Sequence, residues 1–533
     1  MKKILFSSAA ILALAACGAE QGAEETQQAL EVLSLDESGE GRVEFDASNL
    51  DGGDAVFENV VIRTSELMDE DMMSEDGESD IEFDTEEKFD IGAETLTLKN
   101  LTAVEGGTAS FDALEMKGVK LIPIYEDETA EITAGSLVLT NPSPELSGWI
   151  AGMLGAGEVS DTPPAESISF DDFVLKDIAI VDMKEDEARL GITSISVSDY
   201  GALKAGKFAI DGVGLSFLDE ESDATGTFKL DNIRIDGVKM DFLKALEAED
   251  EDEAAAQVMQ AVYANPIDPG FDSFEMNALN FDLAGVSFAL PSLEYKVKRN
   301  GDGVPTRITL PEYTATLTAD PENGMYGQQL APMLAAFGFE TVTLKGAGVT
   351  EYDPETDIST SEESYIEIED AFRLDTVGTL GGMKAFGEMM QQMDSEAFSE
   401  GDQDPQDLTM DALGVLEIHE WTFKLEDEGI VDNAFALFAA QQGMEPAALK
   451  TQVVGLVSAL PMMAQSSGVD PEIATDLSTA IASFLTNSGT LTISVAPEEP
   501  VTFPELMSED GQVSKARLGF TAQNEPDEIE AVE

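Results

Sequence analysis

The sequence has one cysteine, one histidine and two tryptophans among 533 residues. A single cysteine cannot form a disulfide within the chain, and CxxC redox exchange and zinc–thiolate sites are excluded because they need several thiols. Basic residues are also scarce: 28 of them stand against 107 acidic residues, for a net charge of −79. Such a chain repels nucleic acid and anionic bilayers, so neither is an expected partner. We expect no cofactor, apart from diffuse binding of divalent cations.

Long hydrophobic runs are missing after the N-terminus, where no segment reaches the about 18 apolar residues typical of a membrane-spanning helix. The run from Ile4 to Ala16 follows Lys2 and Lys3 and is itself too short to span a bilayer. A basic start followed by a short apolar run is typical of a secretory signal peptide. We therefore predict that residues 1–16 are a signal peptide.

The apolar run ends in Leu14-Ala15-Ala16-Cys17, which resembles the lipobox of bacterial lipoproteins. The resemblance implies that the sulfur of Cys17 receives a diacylglycerol, that the chain is cut before this residue, and that the new amino group is acylated. Several acyl chains anchor a protein stably, because each buried methylene contributes about 0.8 kcal/mol. By resemblance to enterobacterial lipoproteins, the absence of Asp at position 18 favours the outer membrane, with the protein facing the periplasm or the surface. An ordinary secretory signal with an incidental cysteine is the alternative.

Polar and apolar residues alternate through much of the chain, but the alternation is reset at short intervals. In residues 227–240 the apolar positions advance by two, three, two, three and two residues: Phe228, Leu230, Ile233, Ile235, Val238 and Met240. A step of two keeps side chains on one face of a strand, whereas a step of three reverses the face. The longer steps contain Asp231-Asn232 and Asp236-Gly237, residue types that tolerate the left-handed (αL) backbone. The pattern indicates short strand pieces that keep one face apolar.

The same pattern occurs at residues 96–101, 111–121, 168–180, 208–215 and 274–281. Self-similar units predict a repetitive, elongated β structure in which each unit packs on its neighbours. A pentapeptide-repeat solenoid needs longer runs, and a hairpin at every polar pair would leave very short strands. We therefore expect strands with bulges or corners in a twisted sheet, although chance bulges in a non-repetitive β protein are the alternative. The expected fold class is α+β, mainly β, with short helices.

Helical spacing of apolar residues appears in a few segments. Residues 146–154 follow a Pro-containing turn, and residues 314–338 repeat the order of strand, turn, short helix and glycine. The similarity suggests an internal duplication, with β-repeat lobes at 41–265 and 266–424. A methionine-rich stripe at 377–393 predicts an amphipathic helix. Its methionines could face a lipid, a partner or copper, but we favour an ordinary core stripe.

The last third of the chain changes to a helical pattern. Gly443 is placed to end one helix, and Asp470-Pro471 is placed to begin another. These signals predict a helical hairpin or three-helix unit at 425–489, which we expect to cover an open edge or end of the sheet. Residues 490–533 are expected to form a terminal strand and an acidic tail. Residues 17–40 have little apolar content and are expected to form a flexible, lipidated tether.

Few residues are candidates for chemistry. His419 lies beside Glu420, but no G-x-S-x-G serine and no further thiol accompany it. Asp302 follows Asn300-Gly301, and an ordinary hairpin turn explains it better than a calcium site does. Carboxylate pairs occur throughout the chain, so an acid/base pair of the glycosidase type is neither located nor excluded. We predict no catalytic residue and no metal ligand.

The segment Leu96-Thr97-Leu98-Lys99-Asn100-Leu101, together with the export signal, resembles the AsmA-like proteins of the bacterial envelope. The resemblance covers the strand runs and implies an elongated β body associated with lipid transfer. These proteins are held by an N-terminal transmembrane helix, whereas this chain carries a lipobox. The expected function is a non-enzymatic envelope lipoprotein that binds or handles an apolar ligand, such as a lipid, or an envelope protein. A purely structural or surface-interaction role and a carboxylate-dependent hydrolase are the alternatives.

Overall fold

The computed structural model describes residues 22–39, 41–64, 89–104, 108–123, 130–156, 162–182, 189–202, 204–219, 224–239, 268–393, 413–467, 470–507 and 513–526. The signal peptide and Cys17 lie outside these residues. The chain divides into two compact units, which comprise Met1–Leu218 with Thr227–Met240, and Asp219–Gly226 with Asp241–Glu533. This division differs from the expected one, because the second unit also contains the helical segment and the terminal strand. No helix in the described part of the chain is long and apolar enough to cross a membrane.

The described residues of unit 1 form an antiparallel sheet, two α-helices and a short 3₁₀ helix at Ala165–Ser167. Its helices are α1 (22–33) and α2 (Pro144–Leu154). Its strands are β1 (Val43–Glu44), β2 (Ala47–Asp51), β3 (Asp54–Ile62), β4 (Phe89–Lys99), β5 (Thr102–Val104), β6 (Thr108–Ser110), β7 (Ala113–Pro123), β8 (Ala130–Thr140), β9 (Phe170–Asp182), β10 (Arg189–Tyr200), β11 (Lys204–Asp219) and most of β12 (Ala224–Lys239). Both β1 and β2 pair with β3, and the pairing continues through β4, β7, β8, β9 and β10 to β11. The mainly β class is therefore confirmed.

The sequence predicted positions at which the apolar/polar alternation shifts by one residue. In the structure, most of these positions hold a residue in the left-handed (αL) conformation, inside a long strand or at its end. Six of the residue pairs that fill a step of three have a positive φ at their second residue: Asn100 (50°), Gly118 (60°), Asp177 (52°), Gly212 (65°), Gly237 (67°) and Ala278 (52°). One αL residue turns the following side chain to the opposite face, which restores the apolar side after a step of three. The pairs Asp171-Asp172 and Asp231-Asn232 have no positive φ, so residue type alone did not identify every reset.

Four αL residues of unit 1 share one position across the sheet. Asn59 in β3, Gly118 in β7, Asp177 in β9 and Gly212 in β11 occupy the same row of the pairing register. The strands between them approach closely at this row, since a Cβ atom on Gly118 would lie 2.5 Å from Cγ of Glu94. At these four positions the alternation therefore shifts at the same level of the sheet.

As a consequence, the apolar side chains of unit 1 form continuous rows that run across the strands. One row contains Phe57, Leu96, Met116, Leu137, Leu175, Ile195 and Ile210, each paired with the next. A second row contains Ala55, Leu98, Leu114, Leu139, Phe173, Val197 and Phe208. Cross-strand pairs of large apolar residues stabilise a sheet by about 0.2–1 kcal/mol each.

Burial decreases along each of these rows. Phe57 and Leu96 are fully buried, whereas Leu175 and Ile195 are half-buried. The buried end lies in one core cluster with side chains of α1 and α2, among them Leu33 and the other apolar residues Ala29, Leu30, Leu146, Ala151 and Leu154. Among the described residues, the two helices therefore pack on the buried end of these rows.

Helix α1 differs from the flexible tether expected for this part of the chain. Leu30 and Leu33 are 3% and 4% exposed. The hydroxyl of Thr26 lies 3.0 Å from the carbonyl oxygen of Gly53 and 3.1 Å from that of Leu101. The few apolar residues of this segment are spaced on one helical face, so a low apolar content was sufficient for packing.

Unit 2 has ten strands and eight helices among its described residues. The strands are β13 (Ser273–Leu283), β14 (Val286–Arg299), β15 (Pro305–Ala319), β16 (Thr341–Asp353), β17 (Ile358–Ile368), β18 (Phe372–Gly381), β19 (Glu417–Asp427), β20 (Gly489–Val495), β21 (Val501–Thr502) and β22 (Thr521–Glu525). They pair antiparallel in sequence order from β13 to β20; β21 also pairs with β19, and β22 with β20. The helices are α3 (Gly324–Ala336), α4 (Met383–Met393), α5 (Ile430–Gln442), α6 (Pro446–Ser458), α7 (Leu460–Ser467), α8 (Pro471–Asn487), α9 (Phe503–Met507) and α10 (Lys515–Leu518).

The prediction of a helix at 377–393 is wrong for its first residues. Val377 and Leu380 lie in strand β18, and the helix begins at Met383. Gly382, with a φ of 78°, separates the two elements. Apolar residues three apart fit a helical stripe as well as they fit a reset strand, so the pattern did not distinguish the two.

The helical segment contains four helices rather than two or three, but its predicted ends are confirmed. Gly443 is the αL residue after α5. The side chain of Asp470 accepts a hydrogen bond from the backbone N–H of Glu472 and so caps α8. Val431 of α5 and Phe484 of α8 pack on Leu491 of β20, together with Leu425 and Ile493. The helices therefore cover a face of the sheet, not the edge or end that was expected.

We predict that Gly212→Ala lowers the free energy of unfolding by about 1–3 kcal/mol, because a non-glycine residue is strained at positive φ. The new Cβ atom would also lie 2.2 Å from Oγ1 of Thr193. Gly214→Ala in the same strand is the control, since no atom lies within 4 Å of its added Cβ. Urea denaturation measures both variants. Equal losses for the two would contradict the proposed strain.

We also predict that Leu96→Ala costs about 2–5 kcal/mol, because it leaves a cavity in the covered core. Leu175→Ala removes the same atoms from the same row, where the side chain is half-buried, and should cost less than half as much. The difference between the two urea midpoints reports how far α1 and α2 cover the row. Similar losses at both positions would show that the row is equally enclosed throughout.

Candidate functional site

The predicted site residues are not brought together by the fold. Cys17 lies outside the described residues, so its lipidation stays a prediction. His419 is an extra residue at a bulge between β18 and β19, where Thr379 pairs with Glu420 and Leu380 pairs with Ile418. Its Nε2 lies 3.8 Å from a carboxylate oxygen of Glu417. A Cβ atom on Gly381 would lie 2.9 Å from the same nitrogen.

Asp302 lies in the hairpin turn between β14 and β15. The side-chain oxygen of Asn300 accepts hydrogen bonds from the backbone N–H groups of Asp302 and Val304, each 3.0 Å long. The turn predicted at this position is therefore confirmed. No group of three His, Cys, Asp or Glu residues in the described ranges is arranged to hold a metal ion, and the expectation of no resident metal stays a prediction.

The methionine stripe begins in a small core. Met383 is 8% exposed and packs with Tyr352 and Leu416. Burial raises the pKa of the Tyr352 hydroxyl, and its hydrogen bond to Asp357 raises the pKa further. Met383 is thus an ordinary core residue, as favoured from the sequence.

The strongest candidate site is an apolar surface on the sheet of unit 2. One row of this sheet contains Tyr313, Gly346, Ile366, Leu374, Leu425 and Leu491, each paired with the next. Leu491 is 6% exposed under the helices, whereas Ile366 is 48% exposed three strands away. The row therefore passes from a covered core to open surface without a change in side-chain type.

Adjacent rows extend this surface. One of them pairs Phe288 with Leu317 and Leu317 with Val342, and another continues through Ala315, Leu344, Ile368 and Phe372. Apart from the buried Ala315, these side chains are half-buried. We call these two rows, together with Tyr313, Gly346, Ile366 and Leu374, the unit 2 apolar face.

Aromatic rings lie over glycines on the same side of the sheet. A Cβ atom on Gly346 would lie 2.8 Å from the ring of Tyr313, and one on Gly378 would lie 2.8 Å from the ring of Trp421. The two glycines therefore leave space that the rings of the neighbouring strands fill. Trp421 keeps 38% of its surface exposed, so an aromatic surface borders the apolar face near β19.

The opposite side of the same strands is charged. The guanidinium of Arg373 lies 3.1 Å from Glu367 and 3.0 Å from Asp375, and it stacks 3.7 Å from the ring centroid of Tyr365. The hydrogen bond that Arg373 donates to Asp375 raises the pKa of Arg373. Because side chains alternate between faces, the ion pairs and the apolar rows lie on opposite sides.

Lys345 extends this ion-pair network. Its ammonium group contacts Glu369 and lies 3.4 Å from Glu367. The hydrogen bond to Glu369 raises the pKa of Lys345, and the hydrogen bond from Lys345 lowers the pKa of Glu369. The Glu369 carboxylate is therefore held as the ionised partner of a cation, which does not suit a general acid.

Comparison with known proteins gives one partial match. A family model described as an uncharacterized protein matches residues 365–525. No curated protein matches the chain, and no solved structure matches it. The matched segment begins in β17 and ends in β22, so it contains the helical segment together with the strands on which the helices pack.

Sequence reasoning did not identify the unit 2 apolar face as a site. The period of β13 was recognised, but the strands from β16 to β18 have many serine and threonine residues and bulges that interrupt the pattern. The side chain of Ile366 is exposed because α5 and α8 pack on the part of the row near Leu491. A strand sequence does not record this, because covered and uncovered strands have the same alternation.

Proposed function

We propose that this protein is a non-enzymatic lipoprotein of the bacterial cell envelope, and that its unit 2 apolar face binds an apolar ligand such as a lipid acyl chain. One observation carries the proposal: the row that ends at the buried Leu491 continues to Ile366, which is 48% exposed. Burying apolar surface gains about 25 cal/mol per Å². Contiguous exposed apolar surface is uncommon on proteins and marks binding sites.

An acyl chain suits this face for chemical reasons. It has no polar atoms that need hydrogen-bond partners, and the face offers Leu344, Ile368 and neighbouring side chains instead of donors or acceptors. The paired strands stand about 4.8 Å apart, so a row across several strands gives an extended contact for a linear hydrocarbon. The ion pairs of Arg373 and Lys345 on the opposite side would disfavour an apolar ligand there.

The lipobox-like segment supports the location. A diacylglycerol on Cys17 and an acylated amino group would hold the protein at a membrane, where lipid ligands are available. We place the anchor in the outer membrane, facing the periplasm or the surface, by resemblance to bacterial lipoproteins. The proposed export signal and anchor are argued from the sequence motif and do not depend on the ligand.

We predict that lipid co-purifies with the full chain and is detected by mass spectrometry of an organic extract. Ile366→Asn should lower binding of a fluorescent fatty acid by about tenfold, because the ligand would contact a polar group. Val377→Asn is the matched control: Val377 is 42% exposed and lies on the opposite face of the adjacent strand. Fluorescence titration measures both variants.

Absence of bound lipid, or an equal loss for the two asparagine variants, would contradict a ligand on this face. A purely structural or surface-interaction protein would give the first of these results. A carboxylate-dependent hydrolase would be revealed by turnover of the bound lipid or of another substrate, with loss of activity on replacing a carboxylate.

We further predict that Cys17→Ser abolishes metabolic labelling with radioactive palmitate. The thiol sulfur is the attachment atom, and the serine variant cannot form the thioether. If labelling persists, the lipid is elsewhere. If the wild-type chain is unlabelled and its thiol reacts with maleimide, the segment is an ordinary secretory signal.

A further inference from the structure

The junction between α6 and α7 exposes three large apolar side chains. Leu456 is 65% exposed, Met462 is 77% exposed and Met463 is 56% exposed. We call these three residues the α6–α7 corner. They belong to unit 2 but not to the unit 2 apolar face, which is formed by strands.

Backbone hydrogen bonds connect α6 directly to α7 at the α6–α7 corner. The backbone N–H of Ala459 donates to the carbonyl oxygen of Leu456 at 3.1 Å, and that of Met462 donates to the carbonyl oxygen of Ala459 at 3.0 Å. Leu456 is thus one turn from Ala459, and Met462 is one turn beyond it. The three apolar side chains therefore belong to consecutive helical turns around one bend of the chain.

The corner also differs in charge from the rest of the protein. The chain has 107 acidic residues among 533, about one in five, but residues 446–469 contain none. Their one charged residue is Lys450, which lies 2.9 Å from Asp432 of α5. Acidic residues keep the chain soluble elsewhere. Their absence here removes the repulsion and the desolvation cost that would oppose contact with a hydrocarbon surface.

We propose that the α6–α7 corner inserts into the interface of a zwitterionic lipid bilayer. Leucine and methionine are flexible apolar residues that adapt to an irregular surface, and interfacial binding grows with the apolar area buried. A second copy of this chain is disfavoured because two bodies of net charge −79 repel each other. An anionic bilayer is disfavoured for the same reason. The proposal depends neither on the lipid at Cys17 nor on the ligand of the apolar face.

A local probe tests the proposal. The full chain with Cys17→Ser and Ser458→Cys has one thiol, next to the corner, for a polarity-sensitive fluorophore. On addition of phosphatidylcholine–phosphatidylethanolamine vesicles we expect a blue shift and an emission increase of about twofold or more, as the probe leaves water. Thr479→Cys in the same background is the control, since Thr479 is exposed in α8. Its probe should not respond.

Leu456→Asn, Met462→Asn and Met463→Asn together should weaken the response at position 458 by about tenfold or more in lipid concentration, because they remove the apolar contact. Circular dichroism should stay unchanged, since all three side chains are exposed. The N-terminal apolar run can itself hold the chain on vesicles, but it does not shift a probe at position 458.

Several results would overturn the proposal. One is a silent probe at position 458 on vesicle-bound protein. A second is a shift that appears without vesicles and grows with protein concentration, which would indicate contact between copies. A third is a stronger response to phosphatidylglycerol vesicles at low salt, which would contradict the argument from charge.

Discussion

The structure depends on one geometric constraint: side chains on a strand alternate strictly, and the apolar positions of this chain do not. Each step of three would turn the apolar side chain to the wrong face unless the backbone compensates. An αL residue makes this compensation, at a cost of about 1–2 kcal/mol when it has a Cβ atom. Glycine avoids that cost at Gly118 and Gly212, and asparagine or aspartate tolerates the conformation at Asn59 and Asp177. Because these residues share a row, the compensation preserves the pairing on both sides.

The rows explain how one sheet serves both as a core and as a surface. A row has apolar side chains along its length. Whether a given position is buried therefore depends on whether a helix packs over it. In unit 1 the helices α1 and α2 cover the first strands, and in unit 2 the helices α5 and α8 cover the last. Leu491 and Ile366 belong to one row but differ in exposure from 6% to 48%. The proposed ligand would bury the apolar side chains of these rows that the helices leave exposed.

Local features of the fold could be predicted from the sequence. The step pattern located the αL residues at Gly118, Asp177 and Gly237, and the capping residues Gly443 and Asp470 located helix ends. These features depend on a few adjacent residues. The αL conformation at Glu363, beside a bulge in β17, has no such signal, since glutamate does not favour it and the pairing with both neighbours imposes it.

Features that depend on distant contacts could not be predicted. The segment at 377–381 was taken as helix, because only its pairing with β17 and β19 makes it a strand. Helix α1 was taken as a tether, because its burial requires α2 and the first strands. The candidate site has the same origin: no pattern within a strand tells whether a helix lies over it. The predictions for Cys17 rest on a local motif and are independent of these contacts.

The shared row of αL residues also bears on how such a chain can change in length. A hairpin that carries the same step pattern can be inserted between two strands, and it then adds two positions to every row while the flanking registers stay intact. A hairpin without the reset would place its apolar residues among the ion pairs of the opposite side. Growth by whole, in-phase hairpins is therefore tolerated, and the number of strands becomes a variable that natural selection can adjust without redesigning the core.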